Sequence, residues 1–173
     1  MSQEKTKNIA KSALMIALIF AATYSIKLPN PATGGYSHMG DCMVFLGVLV
    51  LGKRQGALAG GLGAALSDLL TGAAIWVLPT FVIKYMMGWI MGLLCERKVF
   101  GKYANITGAV VGGLFQSIAY TLVKVPMVGT APAIASIPGI LTQTLIGLVI
   151  FGIISKMLAN TQVLKGVAYC EEV

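Results

Sequence analysis

The chain has 173 residues, of which 57% are hydrophobic and only 11% are charged, and its mean hydropathy is +0.83. Soluble domains carry about 25% charged residues, so this composition excludes a soluble globular protein and predicts an integral membrane protein. The formal net charge of +7 indicates anchoring at lipid headgroups and not nucleic-acid binding, because no basic patch is interleaved with aromatic residues.

Six apolar segments follow one another along the chain, each bounded by charged or turn-forming residues. The sequence therefore predicts one all-α membrane domain over residues 1–173, a compact bundle of six transmembrane helices. The predicted helices cover residues 9–26, 38–51, 57–71, 77–95, 104–123 and 134–158.

The second and third predicted helices are short for transmembrane spans. Fourteen or fifteen residues give only ~21–23 Å, against the ~30 Å thickness of the hydrocarbon core. A re-entrant hairpin is the alternative, but it would place Lys53 and Arg54 near the middle of the membrane. We therefore favour two crossing helices, shortened by loops that dip into the protein and line a cavity.

The distribution of Lys and Arg predicts the orientation, because cytoplasmic loops carry an excess of these residues. With a cytoplasmic N-terminus, only Lys27, Lys84 and Lys124 are not on the cytoplasmic side. Both termini are then predicted to be cytoplasmic. The ten basic residues on that side are Lys5, Lys7, Lys11, Lys53, Arg54, Arg97, Lys98, Lys102, Lys156 and Lys165.

Polar residues inside the apolar segments predict a binding site. Counting the helical rise places Asp68, Lys84, Gln116 and Gln143 at one level, about 16–20 Å above the cytoplasmic face, with Tyr120 one turn further out. Four polar groups from four helices at one depth indicate a polar-lined pocket. The alternative is structural: an Asp68–Lys84 ion pair, with each glutamine bonded to a neighbouring helix.

The outer loop at residues 30–41 is rich in glycine and is a candidate lid over this pocket. Tyr36 and His38 are candidate ligand contacts on the loop, and the alternative for His38 is a position at the membrane interface without a ligand. Asp41, at the expected start of the second helix, is predicted to be an N-cap and not a ligand contact. Trp76 is either an interfacial anchor or a stacking partner for a flat ring.

Small residues form a second pattern, since Ala13, Ala17 and Ala21 recur every four residues on the first helix. Such a stripe allows another helix to approach closely, either within the bundle or from a partner subunit. No P-loop, zinc-protease or nucleophile-elbow motif is present, so the chain is not predicted to be an enzyme, and no metal or cofactor is expected.

Several stretches resemble the substrate-binding S components of energy-coupling factor (ECF) vitamin transporters, especially the subgroup assigned to hydroxymethylpyrimidine or pyridoxine. The resemblance is carried by GGYSHMGD at residues 34–41, VFLG at 44–47, LG at 51–52, QGALAGGLG at 55–63 and SDL at 67–69. It implies a six-helix protein of the prokaryotic cell membrane that binds a vitamin under the loop at residues 27–40.

The resemblance also implies partners. The stripe of Ala13, Ala17 and Ala21 would dock the transmembrane coupling subunit, and two ATPase subunits would hydrolyse ATP. Two other classes of function stay open on the residues alone: a small channel or secondary transporter that needs no partner, and a structural membrane subunit without a ligand. An S component for another water-soluble vitamin is the alternative within the family.

Overall fold

A computed structural model describes residues 3–25, 27–30 and 35–159, with the backbone alone at residues 27–30, 35–37 and 159. Apart from one short two-stranded hairpin and connecting turns, the described residues are helical. Five helical stretches are long and apolar enough to cross a membrane. The elements are α1 (Gln3–Ser25), β1 (Lys27–Asn30), β2 (Gly35–His38), α2 (Gly40–Leu70), α3 (Val77–Glu96), α4 (Ala104–Val128), α5 (Thr130–Ala135) and α6 (Ile137–Ala159).

Helix α2 covers the second and third predicted helices and folds back on itself at Gly52. Gly52 has φ 82° and ψ 174°, a backbone conformation that glycine adopts without steric cost. Beyond it, a Cβ at Gly60 would lie 2.6 Å from Cγ1 of Val44. A straight helix would separate these two residues by about 24 Å, so α2 consists of two antiparallel arms, residues 40–51 and 53–70.

The other helix limits lie close to the predicted ones, with informative differences. Helix α1 begins six residues before the predicted start because its charged first turns are helical although they are not apolar. Helix α4 continues past the predicted end at residue 123 and contains Pro126. Residues 134–136 fall in α5 and the turn after it, so the last long helix begins at Ile137.

The two arms of α2 form the centre of the bundle, where they contact α1, α3 and α6. Phe45 on the first arm and Phe151 on α6 lie with ring centroids 5.6 Å apart. Met87 and Met91 of α3 and Ile19 of α1 complete this buried apolar core. Close van der Waals packing of these side chains, and not their removal from water, holds these four helices together inside a membrane.

One end of the bundle, which we call the basic end, joins the turn at Gly52 to the end of α3. Lys53 forms an ion pair with Glu96, and its Nζ lies 4.9 Å from the centroid of the Trp89 ring. Ser12 of α1 donates a 3.4 Å hydrogen bond to Gln55. The start of α1, the Gly52 turn and the end of α3 therefore lie at the same end of the molecule, and the hairpin β1–β2 lies at the other.

Candidate functional site

The carboxylate of Asp41 is the hub of a buried polar network. Asp41 lies in the first turn of α2, and its side chain is completely enclosed. Lys84 of α3 donates to Oδ1, and Nε2 of Gln116 from α4 donates to Oδ2. Nε2 of Gln143 from α6 lies 3.3 Å from Oδ1 and 3.2 Å from Oδ2. One carboxylate thus receives side chains from three other helices.

Lys84 and Gln116 close the network around Asp41. Lys84, which is also fully buried, donates a second hydrogen bond to Oε1 of Gln116. Nε2 of Gln116 donates a 2.8 Å bond to the Thr144 hydroxyl, which lies 3.3 Å from the hydroxyl of Ser117. Among the described residues, every buried side-chain nitrogen or oxygen of this cluster has a partner.

The network carries no net charge, because the ammonium of Lys84 is balanced by the carboxylate of Asp41. A single charge at this depth would cost at least roughly 2.5–3.5 kcal/mol, and pairing with further hydrogen bonds offsets that cost. The cluster combines hydrogen-bond donors and acceptors, which in this structure bond to one another. Among the described residues, no group of three or more acidic, histidine or cysteine side chains could hold a metal ion.

An aromatic wall adjoins the network on the side away from the basic end. Nζ of Lys84 lies 5.6 Å from the centroid of the Tyr120 ring, and the Tyr120 hydroxyl donates a 3.3 Å bond to Thr80. The centroid of the Trp76 ring lies 6.5 Å from that of Tyr120, and Nζ of Lys124 lies 6.0 Å from the centroid of Trp76. Two half-buried rings next to polar groups can hold a flat ligand.

His38 connects the hairpin to the network. Its backbone N–H donates a 3.3 Å bond to Oε1 of Gln143, and its Nδ1 accepts a 3.3 Å bond from the backbone N–H of Gly40. The hairpin strands pair antiparallel, with Lys27 opposite His38 and Pro29 opposite Tyr36. The structure describes only the backbone of Tyr36, so its predicted ligand contact stays a prediction.

The structure brings three of the four predicted layer residues together, namely Lys84, Gln116 and Gln143. It places Asp68 elsewhere. Gly61 lies against the carbonyl oxygen of Phe81, and from this register Asp68 lies about 10–15 Å further towards the hairpin end than Lys84. The ion pair of Lys84 is with Asp41, so the structural alternative of an Asp68–Lys84 pair is wrong, and a ligand contact by Asp68 stays a prediction.

Asp41 is the functional candidate that the sequence analysis missed. Its predicted role as an N-cap is wrong, since the cap position is Met39 and the carboxylate of Asp41 turns into the bundle. The signal was available: an acid at the start of a helix too short to span the membrane has to lie below the membrane surface.

The alanine stripe lies on the outer face of α1. Ala13, Ala17 and Ala21 are all exposed in the isolated chain. The opposite face, with Ile19 and Thr23, is buried against α2. The interpretation that the stripe packs inside this bundle is therefore wrong. The remaining interpretations are that the stripe contacts lipid or another subunit.

Long apolar helices around a charge-neutral polar network define a multi-spanning membrane protein with a candidate site for a small polar molecule. The chain belongs to the family described as "ECF-type riboflavin transporter, S component", whose family model matches residues 3–160. S components are membrane proteins that bind the substrate of a transporter, and they are not enzymes.

The chain is also similar to individual proteins. The chain is 26% identical over 167 residues, 96% of each protein, to "Thiamine precursor transporter HmpT" of Lactococcus lactis subsp. cremoris (strain MG1363). It is 33% identical over 135 residues to the Pyrococcus woesei "Uncharacterized protein in gap 3'region", covering 78% of this chain and 89% of that one. A solved S component of a bacterial ECF transporter has the same fold, with TM-score 0.67, 16% identity, and coverage of 90% of this chain and 97% of that one.

Proposed function

We propose that this S component binds a small neutral heteroaromatic compound, hydroxymethylpyrimidine or pyridoxine, for import across the cell membrane. The observation that carries the proposal is the neutral network around Asp41, which mixes donors and acceptors beside an aromatic wall. Hydroxymethyl groups and ring nitrogens can bond to such groups without bringing an unpaired charge into the bundle. The name of the Lactococcus relative, a thiamine precursor transporter, supports this class.

A second candidate is riboflavin or another water-soluble vitamin, which the description of the matching family favours. Riboflavin is also flat and neutral, but it is much larger than a single pyrimidine or pyridine ring. Direct comparison of these ligands on one protein separates the two candidates.

The proposed topology has six transmembrane helices, counting the two arms of α2 separately, with both termini in the cytoplasm. The basic end gathers the start of α1, the Gly52 turn and the end of α3, which together carry Lys5, Lys7, Lys53 and Arg97. Such an excess of basic residues at one end supports a cytoplasmic location for that end. Lys165, counted in the sequence prediction, lies outside the described residues.

The proposed partners are a transmembrane coupling subunit and two ATPase subunits. The exposed stripe of Ala13, Ala17 and Ala21 supports docking of the coupling subunit, because small side chains let another helix approach closely. The ligand would enter from the side opposite the basic end, beneath the hairpin that His38 ties to Gln143. A channel or a transporter without partners would show ligand flux in liposomes that contain only this chain, and we expect none.

Binding to the purified chain tests the ligand and the location of the site together. Hydroxymethylpyrimidine, pyridoxine and riboflavin are titrated by calorimetry into the detergent-solubilised protein, and mass spectrometry identifies any molecule that copurifies. Trp76→Ala should weaken binding about fivefold or more, since stacking on an aromatic ring contributes roughly 1–3 kcal/mol. Trp89→Ala, at the basic end, is the matched control and should leave the affinity unchanged.

If no vitamin-type ligand binds, the proposed ligand class is wrong. If a ligand binds and Trp76→Ala behaves like Trp89→Ala, the ligand class stands but the site lies elsewhere.

A further inference from the structure

The ion pairs Lys53–Glu96 and Lys84–Asp41 lie in very different surroundings. Lys53 and Glu96 meet at the basic end, where both side chains are partly exposed to solvent. Lys84 and Asp41 meet inside the bundle, and neither has any exposed surface. Charges at the basic end are screened by water and salt, whereas charges inside the bundle act on their neighbours almost unscreened.

The side chains that hydrogen-bond to the inner pair are neutral, and the titratable His38 lies close enough for its charge to act on Asp41. Gln116 and Gln143 bond to it through their amides, and the Tyr120 ring lies beside Lys84. Apart from His38 and from Lys124 at the Trp76 ring, a ligand with a net charge would therefore find no counter-ion at the network, and its desolvation would be uncompensated there. A neutral ligand has no such requirement.

From this arrangement we propose that the Asp41–Lys84 pair determines the charge selectivity of the ligand site: while both members are present, the site accepts neutral ligands and rejects charged ones. The inference rests on the proposed function, because it assumes that the ligand lies against the network. It makes Asp41 and Lys84 specificity-determining residues with opposite effects.

Removing one charge at a time should change which ligand charge the site prefers. Asp41→Asn keeps the size of the side chain but leaves the Lys84 cation with only neutral partners, so the site should then favour an anionic ligand. Lys84→Gln leaves the Asp41 carboxylate with the amides of Gln116 and Gln143 and with the nearby His38 ring, so the site should then favour a cation. The double variant Asp41→Asn/Lys84→Gln is neutral again.

Three 4-amino-2-methylpyrimidines that differ only at ring position 5 serve as probes at neutral pH. The 5-hydroxymethyl compound is neutral, the 5-aminomethyl compound is a cation and the 5-carboxylate is an anion. The measured quantity is the ratio of dissociation constants among the three probes for each purified full-length protein. A ratio is insensitive to a general loss of affinity, which would change all three constants by the same factor.

The unaltered protein and the double variant should bind the neutral probe best. Asp41→Asn should move the ratio towards the anion, and Lys84→Gln towards the cation, each by about tenfold or more, because an unpaired buried charge corresponds to several kcal/mol. Glu96→Gln and Lys53→Gln change the net charge of the protein by the same amounts at the basic end. They should leave the ratios unchanged.

Gln143→Glu provides a second route if a single variant does not fold, since it adds a carboxylate without removing either member of the pair. It should shift the ratio towards the cation. Unchanged ratios in folded Asp41→Asn, Lys84→Gln and Gln143→Glu would overturn the inference, as would a preference of the unaltered protein for the anion. If the neutral probe does not bind the unaltered protein, the proposed ligand class itself fails.

Discussion

Gln116→Leu tests whether the buried network stabilises the fold as its geometry implies. The substitution roughly keeps the side-chain volume but removes three hydrogen bonds, to Lys84, Asp41 and Thr144. Bonds between transmembrane helices contribute about 0.6 kcal/mol on average, which gives a lower limit of about 2 kcal/mol. Bonds to charged groups contribute roughly 1.5–3 kcal/mol each, which would raise the total to about 7 kcal/mol.

The remaining contacts reduce that upper value. After the substitution, Lys84 still has Asp41, and Asp41 still has both Lys84 and Gln143. No charge is left alone, so we expect a loss of about 2–4 kcal/mol in the free energy of unfolding. For a chain of this size, that lowers the thermal midpoint by about 4–16 °C.

The assay is thermal unfolding of the purified protein at fixed detergent concentration, followed by tryptophan fluorescence. Gln55→Leu is the matched control, because Gln55 is exposed and, among the described residues, accepts only the 3.4 Å bond from Ser12. Its effect should stay within about 0.5 kcal/mol. Equal midpoints for the two leucine variants would refute the reasoning that the network holds four helices together.

Two further substitutions test packing and docking. Gly56→Ala places a Cβ 2.4 Å from the Cα of Val48 and should destabilise the fold by about 1–3 kcal/mol in the same thermal assay, whereas Gly152→Ala, in open space, should be neutral or stabilising. Ala17→Trp should leave ligand affinity intact but abolish copurification with the coupling subunit and ATP-dependent uptake. Leu18 is exposed beside the stripe, and Leu18→Trp should keep ligand affinity, copurification and uptake. If Ala17→Trp supports uptake at the normal rate, the stripe faces lipid and not a partner subunit.

Counting the helical rise from the predicted ends was enough to group Lys84, Gln116 and Gln143. It worked because the predicted start of α3 agrees with the observed start at Val77, and because α4 and α6 carry few polar residues that could be confused with these. It failed for Asp68. The second arm of α2 begins four residues earlier than the predicted third helix, and no rule from the sequence gives the offset between neighbouring helices.

The hairpin β1–β2 was not predicted. Its strands have four residues each, too short for an alternating pattern, and the segment contains proline and glycine, which predict turns. The break in α2 was predicted as a loop over residues 52–56, but only Gly52 leaves the helical conformation. Instead of forming a loop, the chain turns at Gly52, and the two arms then pack closely at Gly56 and Gly60.

The role of Asp41 depends on a distance that the sequence does contain. The first arm of α2 has only the length of residues 40–51, about 18 Å, while the hydrocarbon core is ~30 Å thick. If the Gly52 turn lies at the cytoplasmic surface with Lys53, the start of the arm lies about 12 Å below the other surface. An acid there has no water to solvate it and needs a cation at the same depth, which is Lys84. The N-cap rule assumes a helix that begins in water, and that assumption fails for a short helix inside a membrane bundle.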